Sequence, residues 1–351
     1  MKNKLAIISN IKETKLVEVD LPELLPNEVL IQNKCCSICT SDYQLWSGAR
    51  TGKPLNVAFG HENSGIIVKV GSNVSIFKVG DRVAPGVIGC GKCGPCRKGK
   101  NIQLCENNTS VHVAVAKDGY VGPHGASTYK ITEEHKLLKL KDTTSYSDAC
   151  FLEPIATVVE GIERLRLSVG ENILIYGAGT MGNLNAQVAR AYGANVIIVE
   201  QSNKKIDVLK EMGFEFIINS KKENVKERIN EILKGDVLDC ISLCVASTSV
   251  YKDAFEFAPK CCRILMFSAN YPEPNWGVDI TPNLVHYKLW EIIGTYTATN
   301  FAFQKAMDFI NSKALNLELL KEKSFKQENV QEAFIEANKY DKYRVLIDLE
   351  E

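Results

Sequence analysis

A chain of 351 residues, of which 45% are hydrophobic and 24% charged, is long enough for two globular domains of ordinary composition. Its 42 basic and 42 acidic residues give a formal net charge of zero, so no basic field exists to attract nucleic acid or an anionic membrane. No apolar stretch approaches the ~18 residues of a membrane span, and the N-terminal apolar run is too short for a secretion signal. We therefore expect a cytoplasmic protein whose 12 cysteines are reduced and free to bind metal.

Residues 1–148 consist of short apolar runs separated by Gly, Pro, Asn and Asp. The runs at 28–33, 63–71 and 81–87 are typical of strands and predict an irregular, β-rich domain. The following stretch, PIATVVEGIERLRL, has apolar residues at helical spacing and predicts an amphipathic helix.

Side chains with the chemistry of zinc ligands occur at three places around this domain. A cysteine cluster lies in CCSICTSD, a His–Glu pair lies between glycines in AFGHENSG, and a glutamate precedes the proline at the start of the helix. Cys and His are good zinc ligands, Glu is a harder third, and three protein ligands with an open fourth position form a catalytic zinc site. Each also has an ordinary interpretation, namely core packing, a loop position and a helix start. The residues concerned are Cys35, Cys36, Cys39, His61, Glu62 and Glu153.

Four further cysteines fall in one short loop, at Cys90, Cys93, Cys96 and Cys105. Two overlapping C-x-x-C pairs place thiols close enough to share one ion, and the fourth thiol returns after RKGKNIQL. Tetrahedral zinc takes four thiolates at ~2.3 Å, which leaves no open coordination position. The loop therefore predicts a structural zinc rather than a catalytic one.

The glycine-rich run GAGTMG, residues 177–182, directly follows the apolar run NILIY and opens a helical pattern. In a G-x-G-x-x-G turn the first glycine makes the tight turn, the second lets the backbone approach a pyrophosphate, and the third allows close helix–strand packing. An acid that ends the next strand binds both ribose hydroxyls and repels a 2′-phosphate, so we expect NAD rather than NADP. A tight turn without a nucleotide is the alternative. The predicted contacts are Gly177, Gly179, Thr180, Met181, Gly182 and Glu200.

From residue 149 to residue 290, fully apolar runs alternate with helical patterns, which predicts a parallel sheet covered by helices on both faces. Residues 291–351 are mixed again, with two helical patterns and a final apolar run, RVLIDL. Five cysteines lie in apolar segments of residues 149–290, and we interpret them as buried packing residues. They are Cys150, Cys240, Cys244, Cys261 and Cys262.

The ordered series C-x-I-C-x-S-D, G-H-E, the four-cysteine loop, E-P and G-A-G-x-x-G resembles the zinc-dependent medium-chain dehydrogenases of the alcohol dehydrogenase superfamily. The likeness covers essentially the whole chain and is strongest to the polyol branch, which includes sorbitol and galactitol-phosphate dehydrogenases. It implies an α/β protein in which a Rossmann-type, doubly wound parallel sheet (149–290) is inserted in a GroES-like, β-rich catalytic domain (1–148 and 291–351). The zinc lobe would occupy about residues 89–106.

The same resemblance assigns metal roles to single residues. Cys39 and His61 match ligands of the catalytic zinc, and Glu62 matches an acid that binds the metal directly or alternates with a water. Glu153 matches the position of a further ligand. Asp42 matches an acid that orients the ligand histidine, the usual support for a metal-bound imidazole.

Proton transfer is assigned by the resemblance to Ser41, which matches the hydroxyl that binds the substrate oxygen. Thr40 would point to the opposite face if this segment is extended, and capping of a local turn is the alternative role for Ser41. Gln44 stands where many family members carry a proton-relay histidine, so the path beyond Ser41 stays open. Candidates for lining the substrate pocket are Trp46, Phe59 and His124.

Together these matches imply an NAD-dependent enzyme with two zinc ions per chain that oxidises a secondary hydroxyl of a small, polyol-like substrate. An aminocyclitol or amino alcohol, a polyol phosphate and a simple secondary alcohol are the alternatives within the family. A non-enzymatic zinc protein that senses redox state through its Rossmann domain is an alternative from another class, but it would not need the metal-ligand set and Ser41 together. Family members are usually dimers or tetramers, so a homodimer or homotetramer is expected.

Overall fold

The computed structural model describes residues 1–50, 52, 55–86, 89–99, 102–107, 116–269 and 280–350. Contacts divide the chain into two compact units, one formed by residues 1–156 and 298–351 and the other by residues 157–297. The first unit is therefore built from two separate parts of the chain. Two positions of the predicted zinc lobe, 100 and 101, and residues 270–279 of the predicted Rossmann region lie outside the described residues.

The N-terminal part of the first unit is mainly β-structure, as its short apolar runs predict. Its strands are β1 (Lys2–Asn10), β2 (Glu13–Asp20), β3 (Glu28–Ser37), β4 (Val57–Ala58), β5 (Glu62–Val70), β6 (Arg82–Pro85), β7 (Tyr129–Glu133) and β8 (Leu137–Lys139). Its helices are α1 (Thr40–Ser47), α2 (Gly94–Lys98) and α3 (Tyr146–Ala149). Helix α1 follows β3 directly, so the segment around Ser41 is helical and the assumption of an extended segment is wrong. Adjacent side chains in a helix point in directions about 100° apart, so they do not lie on opposite faces as they would in a strand.

The second unit carries the predicted alternation of apolar strands and helices. After α4 (Leu152–Leu165), which begins in the first unit, its strands are β9 (Asn172–Tyr176), β10 (Asn195–Glu200), β11 (Phe216–Asn219), β12 (Cys240–Leu243), β13 (Arg263–Met266) and β14 (Glu291–Gly294). Its further helices are α5 (Thr180–Ala191), α6 (Asn203–Glu211), α7 (Val225–Leu233), α8 (Thr248–Phe257) and α9 (Pro282–Lys288). The strands pair in parallel in the order β11-β10-β9-β12-β13-β14. Numbered within the unit this is 3-2-1-4-5-6, the Rossmann order, which confirms the predicted doubly wound sheet.

The C-terminal part returns to the first unit with α10 (Asn300–Ser312), β15 (Lys321–Lys326), α11 (Val330–Ala337) and β16 (Arg344–Asp348). Strand β16 pairs with β3, placing Leu346 opposite Ser37, in a sheet of order β15-β16-β3-β5-β6-β8 with β7 also on β3. A second sheet has the order β2-β1-β4. This pairing brings the C-terminal residues of the chain beside the segment that contains the first metal-ligand candidates.

The interpretation of the cysteines as buried packing residues is wrong at one position. Cys35, Cys36, Cys150, Cys240 and Cys262 are buried and Cys244 is partly buried, but Cys261 is exposed. It occupies a turn before β13 with a φ of +63°, and its N–H donates to the Lys288 carbonyl at 2.7 Å. Because the chain changes direction at a turn, a residue there can face solvent even when its sequence neighbours are apolar and buried. In the described part of the chain, the structure contains no helix long and apolar enough to cross a membrane.

Candidate metal and nucleotide sites

Three of the predicted zinc ligands lie together where β3 ends and β5 begins. The ligand atoms of Cys39, His61 and Glu62 all lie within 4.8 Å of one another. Strand pairing explains this, because Ser37 at the end of β3 is in register with Glu62 at the start of β5. A thiol, an imidazole and a carboxylate at this separation form a donor set that fits zinc with a position left open.

Asp42, on helix α1, contacts the backbone of Cys39 and lies near the ring of His61. Its Oδ2 accepts a hydrogen bond from the Cys39 backbone N–H at 3.0 Å, and its Oδ1 lies 3.7 Å from Nδ1 of His61. Burial works to lower the pKa of His61, but the nearby Asp42 and Cys39 outweigh it and hold that pKa well above its ordinary value. Asp42 is therefore the carboxylate that most raises the pKa of the His61 imidazole.

Glu62 is held by two side chains that the sequence analysis did not identify. Nη2 of Arg344 donates to Oε1 of Glu62 at 2.6 Å, and the Ser37 hydroxyl donates to Oε2. The Arg344 and Glu62 side chains are only 5% and 0% exposed. Burial works to lower the pKa of Arg344, but Glu62 and Cys39 raise it overall, so the guanidinium stays charged. The signal available in the sequence was an arginine that opens the otherwise apolar run RVLIDL.

Glu153 lies near this cluster but is not one of the three residues brought within 4.8 Å of one another. Burial raises the pKa of Glu153 to about 6, with Glu62 and Asp42 adding to the increase and His61 opposing it. The carboxyl therefore shares the electrostatic environment of the metal-ligand set, at the start of helix α4.

Ser41 occupies the first turn of α1, two residues after Cys39, and is partly exposed. The candidates for lining the pocket lie elsewhere. Phe59 has no exposed surface and Trp46 is 4% exposed, and both rings pack on Phe334 at centroid distances of 4.8 and 5.8 Å. Both residues belong to one buried apolar cluster, so they form core rather than a pocket wall. His124 is also buried.

The four thiols of Cys90, Cys93, Cys96 and Cys105 are brought within 4.8 Å of one another. The Sγ atoms of Cys93 and Cys105 are 3.7 Å apart, and a tetrahedron with bonds of ~2.3 Å has edges of ~3.8 Å. Sγ of Cys90 accepts hydrogen bonds from the backbone N–H groups of Lys92 and Cys93 and from the Asn107 amide. The Asn107 bond and these backbone bonds lower the pKa of Cys90 to about 5. The lobe therefore fits a closed, four-thiolate zinc.

The glycine-rich turn links β9 to α5 in the second unit. Gly177 has a φ of +92°, and a Cβ at Gly182 would lie 1.9 Å from the Gly177 carbonyl oxygen, so both positions require glycine. A Cβ at Gly179 would meet no atom of the described residues within 4 Å, which leaves open space on that side of the helix N-terminus. Thr180 and Met181 begin the helix there. Open space at a helix N-terminus fits a pyrophosphate.

Glu200 stands at the end of β10, beside this turn. Its Oε2 accepts from the Ala178 N–H at 2.7 Å, and its Oε1 accepts from the N–H groups of Gln201 and Ser202 at 2.7 and 2.9 Å. The carboxylate thus ties the glycine-rich turn to the adjacent strand. A carboxylate has about four lone-pair sites, so these three bonds leave acceptor capacity for one ribose hydroxyl.

Two family models match the chain. Residues 25–142 match the model "Alcohol dehydrogenase GroES-like domain", and residues 180–312 match "Zinc-binding dehydrogenase". An L-threonine 3-dehydrogenase of Rhizobium johnstonii is 32% identical over 79% of this chain and 78% of its own. An alcohol dehydrogenase of Geobacillus stearothermophilus is 31% identical over 74% of each chain, and a sorbitol dehydrogenase of Bacillus subtilis is 32% identical over 67% of this chain and 66% of its own.

Solved structures share the whole fold. An Escherichia coli alcohol dehydrogenase with bound NADH superposes with a TM-score of 0.85 at 25% identity, covering 99% of both chains. A Sinorhizobium meliloti zinc-binding dehydrogenase with bound NADP gives 0.86 at 22% identity and covers 99% of both chains. Galactitol-1-phosphate dehydrogenase of Escherichia coli gives 0.85 at 21% identity over 98% of this chain and 99% of its own.

Proposed function

The chain belongs to the zinc-binding alcohol dehydrogenase family, and from that premise we propose that it uses NAD to oxidise a secondary hydroxyl of a small, polyol-like substrate. The observation that carries this proposal is the group of Cys39, His61 and Glu62, whose ligand atoms lie within 4.8 Å of one another. The sorbitol dehydrogenase and the galactitol-1-phosphate dehydrogenase among the similar proteins favour a polyol-like substrate.

In the proposed reaction, bound zinc supplies Lewis acidity that acidifies the substrate hydroxyl, and bound NAD supplies the hydride acceptor. Cys39, His61 and Glu62 hold the metal, with Glu153 as a further acid beside them. Asp42 keeps the imidazole oriented. Ser41 would take the hydroxyl proton and pass it outward; its support is that the hydroxyl is partly exposed and follows the ligand Cys39 by two residues.

The proton role of Ser41 is tested by Ser41→Ala. We expect zinc content and NAD binding to stay near normal while turnover falls by ~10²–10⁴-fold, most strongly at low pH where proton removal is hardest. Ser47→Ala at the other end of α1 is the matched control, because its hydroxyl donates only to the Gln44 carbonyl within that helix. Full turnover by Ser41→Ala across the pH range would mean that the proton leaves by another route.

The preference for NAD over NADP is proposed from the position of Glu200. A fixed carboxylate beside the glycine-rich turn accepts a hydrogen bond from a ribose hydroxyl and repels a 2′-phosphate. Similar structures carry either NADH or NADP, so the fold does not determine the cofactor. We therefore base the preference on Glu200 of this chain. Titration of the protein with both cofactors tests this directly.

The substrate class is tested with a panel of polyols, polyol phosphates, aminocyclitols, amino alcohols and simple secondary alcohols, scored by NADH absorbance. We expect the highest kcat/KM with an unphosphorylated polyol. A clearly higher kcat/KM with another class of compound in the panel would identify that class as the substrate instead. Absence of turnover with every member, in protein that holds both zinc ions and binds NAD, would favour the redox-sensing alternative.

We also propose a cytoplasmic homodimer, or a homotetramer built from it, in which the lobe zinc is structural. Strand β14 is the last strand at one end of the second unit's sheet. Three apolar side chains around it, Leu289, Ile292 and Tyr296, are 66%, 42% and 65% exposed. An apolar strand edge pairs readily with a second chain. Ile292→Lys should therefore lower the mass found by light scattering, and an unchanged mass would contradict this interface.

A further inference from the structure

The His124 ring makes two hydrogen bonds, one through each of its nitrogens. Its Nδ1 lies 2.8 Å from the Gly122 carbonyl oxygen, and its Nε2 lies 3.0 Å from Oδ2 of Asp118. Burial works to raise the pKa of Asp118, but the hydrogen bonds from His124 and from the Tyr120 N–H lower it overall. The two side chains, 9% and 7% exposed, thus form a buried, hydrogen-bonded pair.

This pair closes the turn between residues 118 and 124 against strand β4. The Ala58 N–H donates to the Val121 carbonyl at 2.8 Å, and the His124 N–H donates back to the Ala58 carbonyl at 2.9 Å. His124 has a φ of +59°, a conformation that is uncommon for residues other than glycine and that persists only where the surroundings fix it. The two ring bonds supply that fixation.

The same turn continues into residues that touch the chain just before His61. The Ala126 N–H donates to the Phe59 carbonyl at 3.2 Å. A Cβ at Gly125 would lie 2.0 Å from the Gly60 carbonyl oxygen, so the two backbones are in direct contact. A movement of the turn would therefore also move residues 59–60, which precede His61, because the two backbones are packed in direct contact.

We propose that the His124–Asp118 pair is a clamp that positions His61, by locking the turn at residues 118–126 onto residues 58–60. His124 is a positioning residue here, since its ring bonds go to Gly122 and Asp118 and would act on His61 through the backbone. The effect on metal binding rests on the proposed function, whereas the clamp itself is a property of the fold.

The test compares His124→Phe, which keeps a ring but removes both bonds, with His135→Phe, an exposed histidine of the same unit whose side chain is 50% exposed. Asp118→Ala removes the acceptor. Asp118→Asn is the conservative rescue, because its amide N–H can donate to Nε2 of a neutral imidazole. Amide hydrogen exchange at residues 57–61 and zinc affinity by chelator competition are measured in the full-length protein.

We expect His124→Phe and Asp118→Ala to speed exchange at residues 57–61 by at least about tenfold and to weaken zinc binding at the Cys39–His61–Glu62 site by ~10–100-fold, the usual effect of removing a support of a metal ligand. The four-cysteine lobe should keep its zinc, and Asp118→Asn and His135→Phe should resemble the parent. Unchanged exchange in His124→Phe, or faster exchange with unchanged zinc affinity, would overturn the clamp. If the parent protein bound zinc only in the four-cysteine lobe, the proposed function would be overturned. The hydrogen-exchange comparison would still decide whether the clamp exists.

Discussion

In the Cys39→Ala background, in which the following variants are all compared because it keeps zinc away from Glu62, Arg344→Met should destabilise the first unit strongly, since it leaves the Glu62 carboxyl buried without its partner. The two side chains are 5% and 0% exposed and are joined by a 2.6 Å hydrogen bond. Removing one member of such a buried pair costs about 3–5 kcal/mol. For a domain of 150–250 residues each kcal/mol lowers Tm by about 2–4 °C, so a decrease of roughly 6–20 °C is expected.

Thermal unfolding followed by circular dichroism measures the effect, and Arg166→Met is the matched control. Arg166 binds Glu291 with a contact of the same length, 2.6 Å, but the two side chains are 58% and 52% exposed. Exposed pairs contribute only about 0.2–1 kcal/mol, so this variant should unfold near the parent temperature. The two variants therefore differ chiefly in burial.

The double variant Arg344→Met with Glu62→Gln distinguishes two causes of destabilisation, the unpaired Glu62 carboxylate and the loss of Arg344 packing. Removing both charges takes away the uncompensated carboxylate, so the double variant should be less destabilised than Arg344→Met alone. Equal stability losses for the Arg344 and Arg166 variants, or no recovery in the double variant, would refute the reasoning.

Three further outcomes are expected for the metal and cofactor sites. The purified protein should hold two zinc ions per chain by metal analysis, and Cys39→Ala should hold about one with the fold intact; a single zinc in the parent would contradict the two-site proposal. Cys93→Ser should lower the unfolding temperature and impair assembly, since structural zinc contributes folding free energy, and parental stability would argue against zinc in the lobe. Glu200→Ala should weaken NAD binding by tenfold or more, from the loss of about 1.5–3 kcal/mol, and favour NADP relatively in fluorescence titrations; an unchanged NAD/NADP ratio would remove Glu200 from the ribose.

Features encoded over short stretches could be predicted from the sequence. The four-cysteine lobe follows from C-x-x-C spacing, and the nucleotide turn follows from glycines that a tight strand–helix connection requires. The parallel sheet of the second unit was predictable from its apolar runs, because strands buried on both faces carry no polar alternation. The family followed from the order of these motifs along the chain.

Features made by distant parts of the chain could not be predicted in this way. Arg344 meets Glu62 only because β16 pairs with β3, which in turn pairs with β5. The exposure of Cys261 depends on a turn that the sequence pattern does not mark. His124 was expected at the pocket, but folding buries it against Asp118.

The sequence by itself determined the fold class, the family and the residue types available as metal ligands, because each depends on local spacing and hydrophobic pattern. The tertiary structure alone decided which charges are buried together. That outcome depends on strand register and on desolvation, which penalises every ionised group that does not find a partner. For this chain the result is a carboxylate, Glu62, held by an arginine 282 positions away.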